Sequence, residues 1–213
     1  MSPYAHLIQG PYPILDADWL EKVALSSESV CQVLNKFAIP VVQLRCKGDG
    51  GRHYDFSRHW VQHLRAHAPQ TKIIINDRLD IALALKADGI HVGQDDLPVS
   101  VCRQLMGSEC LVGLSTHTVE EIQAANAADV DYVGFGPVFG TQTKPDAWSR
   151  RGIDALRLAC THSNKPLVAI GGISVDTLQE VRSAGAQSAA MISGLFHEKQ
   201  WAEQFQQAVD IFS

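Results

Sequence analysis

Eight short, largely β-branched runs recur along the chain, each followed by a longer amphipathic stretch. The runs lie at 12–15, 41–44, 72–75, 89–92, 111–114, 132–135, 166–170 and 189–192. Most are apolar throughout, as parallel strands buried on both faces require. The stretches between them carry helical signals. Ile81, Leu83 and Leu85 begin a pattern that stops before Gly89. Thr118, with Glu121 three residues on, makes a capping box. Ser174 precedes a segment carrying Leu178 and Val181, and the last segment gathers Trp201, Phe205, Ala208, Val209 and Phe212 on one face. Eight β-then-α units in succession predict an α/β fold, a single-domain (β/α)8 TIM barrel over residues 1–213. A doubly wound open sheet needs fewer units, and no Gly-x-Gly-x-x-Gly follows the first strand. At 213 residues such a barrel must keep its loops tight.

Composition narrows the function classes. The formal net charge is −5, which argues against a general nucleic-acid partner, since that calls for a basic face. An anionic ligand must then be met by local donors or by a metal. Five cysteines, at 31, 46, 102, 110 and 160, form no Cys-x-x-Cys pair and are odd in number. They read as reduced thiols of a cytoplasmic protein rather than a disulfide framework or zinc ribbon. The nine histidines show no metal-ligand spacing. The opening Met-Ser-Pro-Tyr-Ala-His has no basic segment leading into an apolar run, and no stretch reaches the roughly 18 apolar residues of a membrane span. No membrane partner is therefore expected, while a homo-oligomer stays open.

Polar and glycine-rich residues follow the strands at their C-terminal ends. They run Gln43-Leu44-Arg45-Cys46-Lys47, Asn76-Asp77-Arg78, Gly93-Gln94-Asp95-Asp96, Ser115-Thr116-His117, Gly136-Pro137 with Thr141-Gln142-Thr143-Lys144, Gly171-Gly172 and Ser193-Gly194. In a barrel all of these meet on the face that carries active sites. Two poles emerge. The glycines after the seventh and eighth strands let backbone N–H groups approach a phosphate. Arg45, Lys47, Asn76, Asp77, Asp96 and Lys144 mix cations with carboxylates, which suits a polyphosphate with Mg2+. Read singly, Asp96 before Leu97-Pro98 is also a helix cap, Asp77 a cap for a helix near Asp80, and Arg45 and Lys47 solvent-facing strand-end residues. Asp80 and Asp95 read as structural, and His117 as a hydrogen-bonded loop residue. No nucleophile motif such as Gly-x-Ser-x-Gly is present.

From end to end the chain resembles the thiamine phosphate synthases. The resemblance rests on Tyr-Pro-Ile-Leu-Asp at 12–16, Val-Gln-Leu-Arg-Cys-Lys at 42–47, Ile-Asn-Asp-Arg at 75–78 and Ala-Asp-Gly-Ile-His-Val-Gly-Gln-Asp-Asp-Leu-Pro at 87–98. It continues with Val-Gly-Leu-Ser-Thr-His at 112–117, Asp-Tyr-Val-Gly-Phe-Gly-Pro-Val-Phe at 131–139, Thr-Gln-Thr-Lys at 141–144 and Ala-Ile-Gly-Gly-Ile at 169–173. It implies a transferase that joins a hydroxymethylpyrimidine diphosphate to a hydroxyethylthiazole phosphate, with Mg2+, releasing pyrophosphate. Carried over by position, Gln43, Arg45, Lys47 and Asn76 would bind the pyrimidine diphosphate, and Asp77 and Asp96 the magnesium. Ser115 and Lys144 would contact pyrophosphate, Thr141 and Thr143 the thiazole, and Gly172, Ile192 and Ser193 the thiazole phosphate. Arg45, Lys47, Ser115 and Lys144 are the catalytic candidates. The family's chemistry is dissociative, so the lack of an obvious base fits it. Rival readings are a thiazole tautomerase-like paralogue and a non-catalytic sensor of thiamine phosphates. The chain departs from the family pattern at Gly48-Asp49-Gly50-Gly51, where the family runs directly into a capped helix. It also departs at Lys36-Phe37-Ala38 in place of an Ala-Gly turn, at Gly140 in place of Pro, and at 148–151.

Overall fold

A computed structural model describes residues 2–140, 150–197 and 201–213. The strands are β1 (Gly10–Asp16), β2 (Val41–Arg45), β3 (Lys72–Asn76), β4 (Gly89–Val92), β5 (Leu111–Thr116), β6 (Tyr132–Phe135), β7 (Leu167–Ile170) and β8 (Ser188–Met191). All neighbours pair in parallel, and β8 returns to β1, closing the barrel in sequence order. The helices are α1 (Ala17–Val23), α2 (Ser27–Lys36), α3 (Gly50–His67), α4 (Leu79–Ala84), α5 (Val99–Met106), α6 (Val119–Ala127), α7 (Ile153–His162), α8 (Val175–Ser183) and α9 (Trp201–Phe212). The expected alternation holds, with one addition: β1 and β2 are joined by two helices. β1, β2, β3 and β5 run one or two residues beyond the expected bounds, while β7 starts one residue later and β8 lies one residue earlier. β7 starts after Pro166, which has no N–H to give a ladder. β8 takes in Ser188 and stops before Ile192, whose carbonyl instead accepts from Leu195 and Phe196 in a turn.

Strand alternation sorts side chains into two apolar layers. Leu15, Leu44, Ile73, Ile75, Ile90, Val112, Val133 and Ala169 face outward, where the helices cover them. Tyr12, Ile14, Val41, Ile74, Leu111, Tyr132, Val168 and Ala190 fill the barrel interior. The bottom of the barrel is held by one device used three times. Asp88, Asp131 and Gln187, each just before an even-numbered strand, accept a backbone N–H from the preceding strand: Ile73 at 3.0 Å, Val112 at 2.8 Å and Leu167 at 2.8 Å. Arg65 and Lys72 also reach Asp88, and Arg103 reaches the fully buried Asp131 at 2.6 Å. The Ser2 N–H donates to the same Asp131 carboxylate, tying the N-terminal segment beneath the barrel.

Helix ends show local rules and their exceptions. Asp49 caps α3, its carboxylate accepting the Arg52 N–H at 2.8 Å, so the Gly48–Gly51 departure still leads into a capped helix. Thr118 accepts the Glu121 N–H, but the Glu121 carboxylate returns to the His117 N–H rather than to Thr118. α2 ends in a Schellman motif. Ile39 N–H bonds Leu34 O, Ala38 N–H bonds Asn35 O, and Ala38 sits at φ +48°, a position that favours glycine. An L-residue there costs roughly 1–2 kcal/mol, only partly offset by the greater unfolded-chain entropy of glycine. Ala38 is exposed. Ala38→Gly should therefore stabilise the fold by about 0.5–1 kcal/mol, measured as a higher midpoint in urea with an unchanged slope.

Candidate active site

The C-terminal ends of the strands bring the expected residues to one face, on opposite sides of the ring. β3 and β7 are four strands apart, as are β4 and β8, so the carboxylate-bearing and glycine-bearing ends face each other across the mouth. Between them lies a narrow cleft floored by Tyr12, Gln43, Asn76, His91, Ser115 and Tyr132 among others.

On the β2–β4 side, Arg45 is neither solvent-facing nor free. It is buried, paired in register beside Asp16, and its Nη1 donates to the Asp16 carboxylate. The other Asp16 oxygen caps α1 through the Trp19 N–H at 3.1 Å. Arg45 Nη2 has no hydrogen-bond partner. A charged, buried donor in that condition costs on the order of 1–3 kcal/mol, which a further acceptor would relieve. Lys47, past the strand end, is exposed. The loop beyond it is pinned: Arg52 donates to Lys47 O at 3.0 Å and pairs with Asp18 at 2.7 Å.

Asp77 follows β3 and Asp96 lies in the loop after β4, so the two carboxylates come from neighbouring strand ends. Asp77, at φ +62°, donates its own N–H to His91 O at 2.8 Å. Asp96 accepts the Gly93 N–H at 2.7 Å. The residue before α4 is Arg78 and the residue before α5 is Pro98, so neither aspartate occupies the N-cap position itself. Asp80 pairs with Arg78 at 2.5 Å, which holds its carboxyl below the usual range. Both Asp77 and Asp96 are exposed, as a cation arriving with its ligand requires. Among the described residues no group of three or more His, Cys, Asp or Glu is placed to hold a metal. A pair of carboxylates whose remaining coordination comes from phosphate oxygens and water is the donor set Mg2+ prefers. The residues present fit that ion.

On the β7–β8 side, Gly172 has φ +63°, and a Cβ there would lie 2.2 Å from Gly140 O. At Gly194 a Cβ would lie 2.1 Å from Ile173 O. Only glycine permits these backbones to meet, and the turns leave Ile192, Ser193 and Gly172 at the rim, partly or fully exposed. Thr141, Thr143 and Lys144 lie outside the described residues. The flanks of that segment are held at the mouth: Phe139 N–H bonds Gly171 O, and Arg151 N–H bonds Pro137 O.

The site also contains residues that reading along the chain passes over. His91 Nε2 lies 2.8 Å from Ser115 Oγ and its Nδ1 3.0 Å from the Tyr132 hydroxyl. The Tyr132 hydroxyl is 2.9 Å from that of Tyr12, to which Gln43 Nε2 donates at 3.3 Å. Gln94 Nε2 donates to Ser115 O at 2.6 Å. A single inward-pointing polar residue two past a glycine in each of β4 (Gly89, His91) and β5 (Gly113, Ser115) is the available signal. His117 is a loop histidine bonded to Gly136 O at 2.7 Å, as expected.

The sequence model of the family described as thiamine monophosphate synthase matches residues 12–195. A thiamine-phosphate synthase of Koribacter versatilis is 37% identical over 202 residues, covering 92% of this chain and 93% of that protein. One from Synechococcus sp. (strain CC9311) is 50% identical over 122 residues, covering 57% of this chain. The match spans only 34% of that longer relative. Among solved structures, a thiamine phosphate pyrophosphorylase from Pyrococcus furiosus superposes with a TM-score of 0.81 at 28% identity, covering 98% of this chain and 96% of that one.

The space for the histidine and tyrosine is made by a glycine. A Cβ on Gly113 would lie 2.2 Å from Tyr132 Cζ and 2.5 Å from His91 Nδ1. Gly113→Ala should lower stability by about 1–3 kcal/mol through overpacking. Gly140→Ala, whose added methyl meets nothing within 4 Å, should leave the same urea melt unchanged.

Proposed function

The chain belongs to the thiamine monophosphate synthase family, and from that premise we propose that it is itself a thiamine phosphate synthase. It would join 4-amino-2-methyl-5-hydroxymethylpyrimidine diphosphate to 4-methyl-5-(2-hydroxyethyl)thiazole phosphate, releasing pyrophosphate. The observation that carries this reading is the division of the mouth. Asp77 follows β3 and Asp96 follows the neighbouring β4, and the close-packed glycine turns after β7 and β8 stand across from them.

In this reading Gln43 and Asn76 hold the pyrimidine diphosphate, and Arg45 and Lys47 meet its phosphate charge. Asp77 and Asp96 would hold Mg2+, which when bound offsets the negative charge of the leaving group. Ser115 and Lys144 donate to the departing pyrophosphate. Gly172, Ile192 and Ser193 seat the thiazole phosphate on backbone N–H groups, and Thr141 and Thr143 contact the thiazole ring. The C–O bond to pyrophosphate breaks first, and the thiazole nitrogen captures the pyrimidine-stabilised cation. The protein's work is to hold two substrates in line and to stabilise the leaving group, so no strong base is required.

Residence in the cytoplasm belongs to the same reading. The described cysteines are all free, and no described helix is long and apolar enough to cross a membrane.

The test mixes both phosphorylated substrates with Mg2+ and follows pyrophosphate. Release should require both substrates and the metal. Asp96→Ala should lower turnover by roughly 10²–10³, the scale of losing one strong charge-stabilising contact, while the fold persists by circular dichroism. Isomerisation of a thiazole without pyrophosphate release would point to a tautomerase-like paralogue. Tight binding without turnover would point to a sensor.

A further inference from the structure

The polar chain beneath the mouth has a direction, and that direction fixes which way the Ser115 hydroxyl points. It begins at Gln43 Nε2, an amide nitrogen that can only donate, and it donates to the Tyr12 hydroxyl. The Tyr12 proton is then free to go on to the Tyr132 oxygen, 2.9 Å away. The Tyr132 proton in turn faces His91 Nδ1 at 3.0 Å. With Nδ1 accepting, the neutral imidazole carries its proton on Nε2 and donates to Ser115 Oγ at 2.8 Å. The reverse polarity would leave the Tyr12 proton with no acceptor. Tyr12 is only 2% exposed, where an unmade hydrogen bond is expensive. Burial pushes the Tyr12 phenol up to about 12 and Tyr132 well above its ordinary value, so both keep the protons the chain needs.

Ser115 itself is held from two sides by the β4 end: its oxygen by His91 and its carbonyl by Gln94 at 2.6 Å. Its Oγ is half-buried at the mouth. We propose that the Gln43–Tyr12–Tyr132–His91 chain is a positioning relay that occupies the acceptor side of Ser115 Oγ and so presents its O–H outward as a donor to the leaving pyrophosphate. No proton is transferred along it; it sets orientation. Tyr132 and His91 are positioning residues, acting through Ser115. A serine free to rotate would spend part of its time presenting a lone pair to an anion. The glycines of strands 5 and 6 exist in this scheme to admit the ring pair. A Cβ at Gly134 would come within 3.3 Å of His91 Cε1, and one at Gly113 would collide with both rings.

The role of the relay rests on the proposed reaction, but its polarity does not, and the experiment separates the two. Nitrogen-15 NMR of selectively labelled histidine reads the His91 tautomer in the unliganded protein. The expected spectrum has a protonated Nε2 and an unprotonated Nδ1. Tyr132→Phe should convert it to a mixture of tautomers. In the pyrophosphate assay Tyr132→Phe should lower kcat about tenfold with KM nearly constant, within the roughly 10–100-fold range of lost outer-shell partners. It should have no further effect in a Ser115→Ala background. His91→Gln, which keeps an N–H donor, should retain more activity than His91→Leu at equal folding. A protonated Nδ1 in the native chain, or additive losses for Tyr132→Phe and Ser115→Ala, would overturn the relay. If the wild type releases no pyrophosphate, the reaction is wrong, and the tautomer alone decides the polarity.

Discussion

The structure depends on how a closed ring of eight parallel strands fills its own middle. Inward-facing positions must be packed, and here the packing is partly polar. Two fully buried tyrosines and a histidine pack in a row, Tyr12 T-shaped against Tyr132 with ring centroids 6.0 Å apart and Tyr132 tilted against His91 at 5.4 Å. Such groups are tolerated inside only when their polar tips find one another. They do, in one continuous chain of hydrogen bonds. That chain is at once the floor of the cleft and the support of its polar rim. The neighbouring glycines are the steric counterpart: strands 5 and 6 give up side chains so that rings from strands 4 and 6 fit.

The two ends of the barrel divide stability from chemistry. At the bottom, Asp88, Asp131 and Gln187 repeat one strand-to-strand contact, and their arginine and lysine partners are satisfied within the fold. At the top the polar groups open towards the mouth. Arg45 is paired with Asp16 yet has a buried donor to spare, and Asp77 and Asp96 are exposed after making their backbone contacts. A buried ion pair of this kind contributes little net stability. Its placement at the strand ends fits an arginine held rigid for an anion.

Periodicity along the chain was enough to place all eight strands to within one or two residues at most ends, because continuous apolar runs bounded by glycine and polar clusters leave little choice. The gathering of Asn76, Asp77, Asp96, Ser115, Gly172 and Ser193 at one face followed from parallel topology alone. What stayed hidden were contacts between residues far apart in sequence. Tyr12 and Tyr132 are 120 positions apart, and nothing local marks them as partners. Arg45 looked like a strand-end cation because its partner, Asp16, lies in another strand. Asp96 reads as a cap because short-range rules know only the following helix; its carboxylate instead accepts the Gly93 N–H just past β4. The Gly48–Gly51 loop looked unlike a capped helix because glycines masked the Asp49 cap.

The central claim is a division of charge across one mouth, a divalent cation with diphosphate on one rim and a lone phosphate on the other. Crystals grown with Mn2+, pyrophosphate and the thiazole phosphate test it most directly. The account predicts an anomalous peak bridging Asp77 and Asp96, with the thiazole phosphate on the backbone of Gly172 and Ser193. A metal bound away from both carboxylates, or a phosphate settled beside them instead of over the glycine turns, would contradict it.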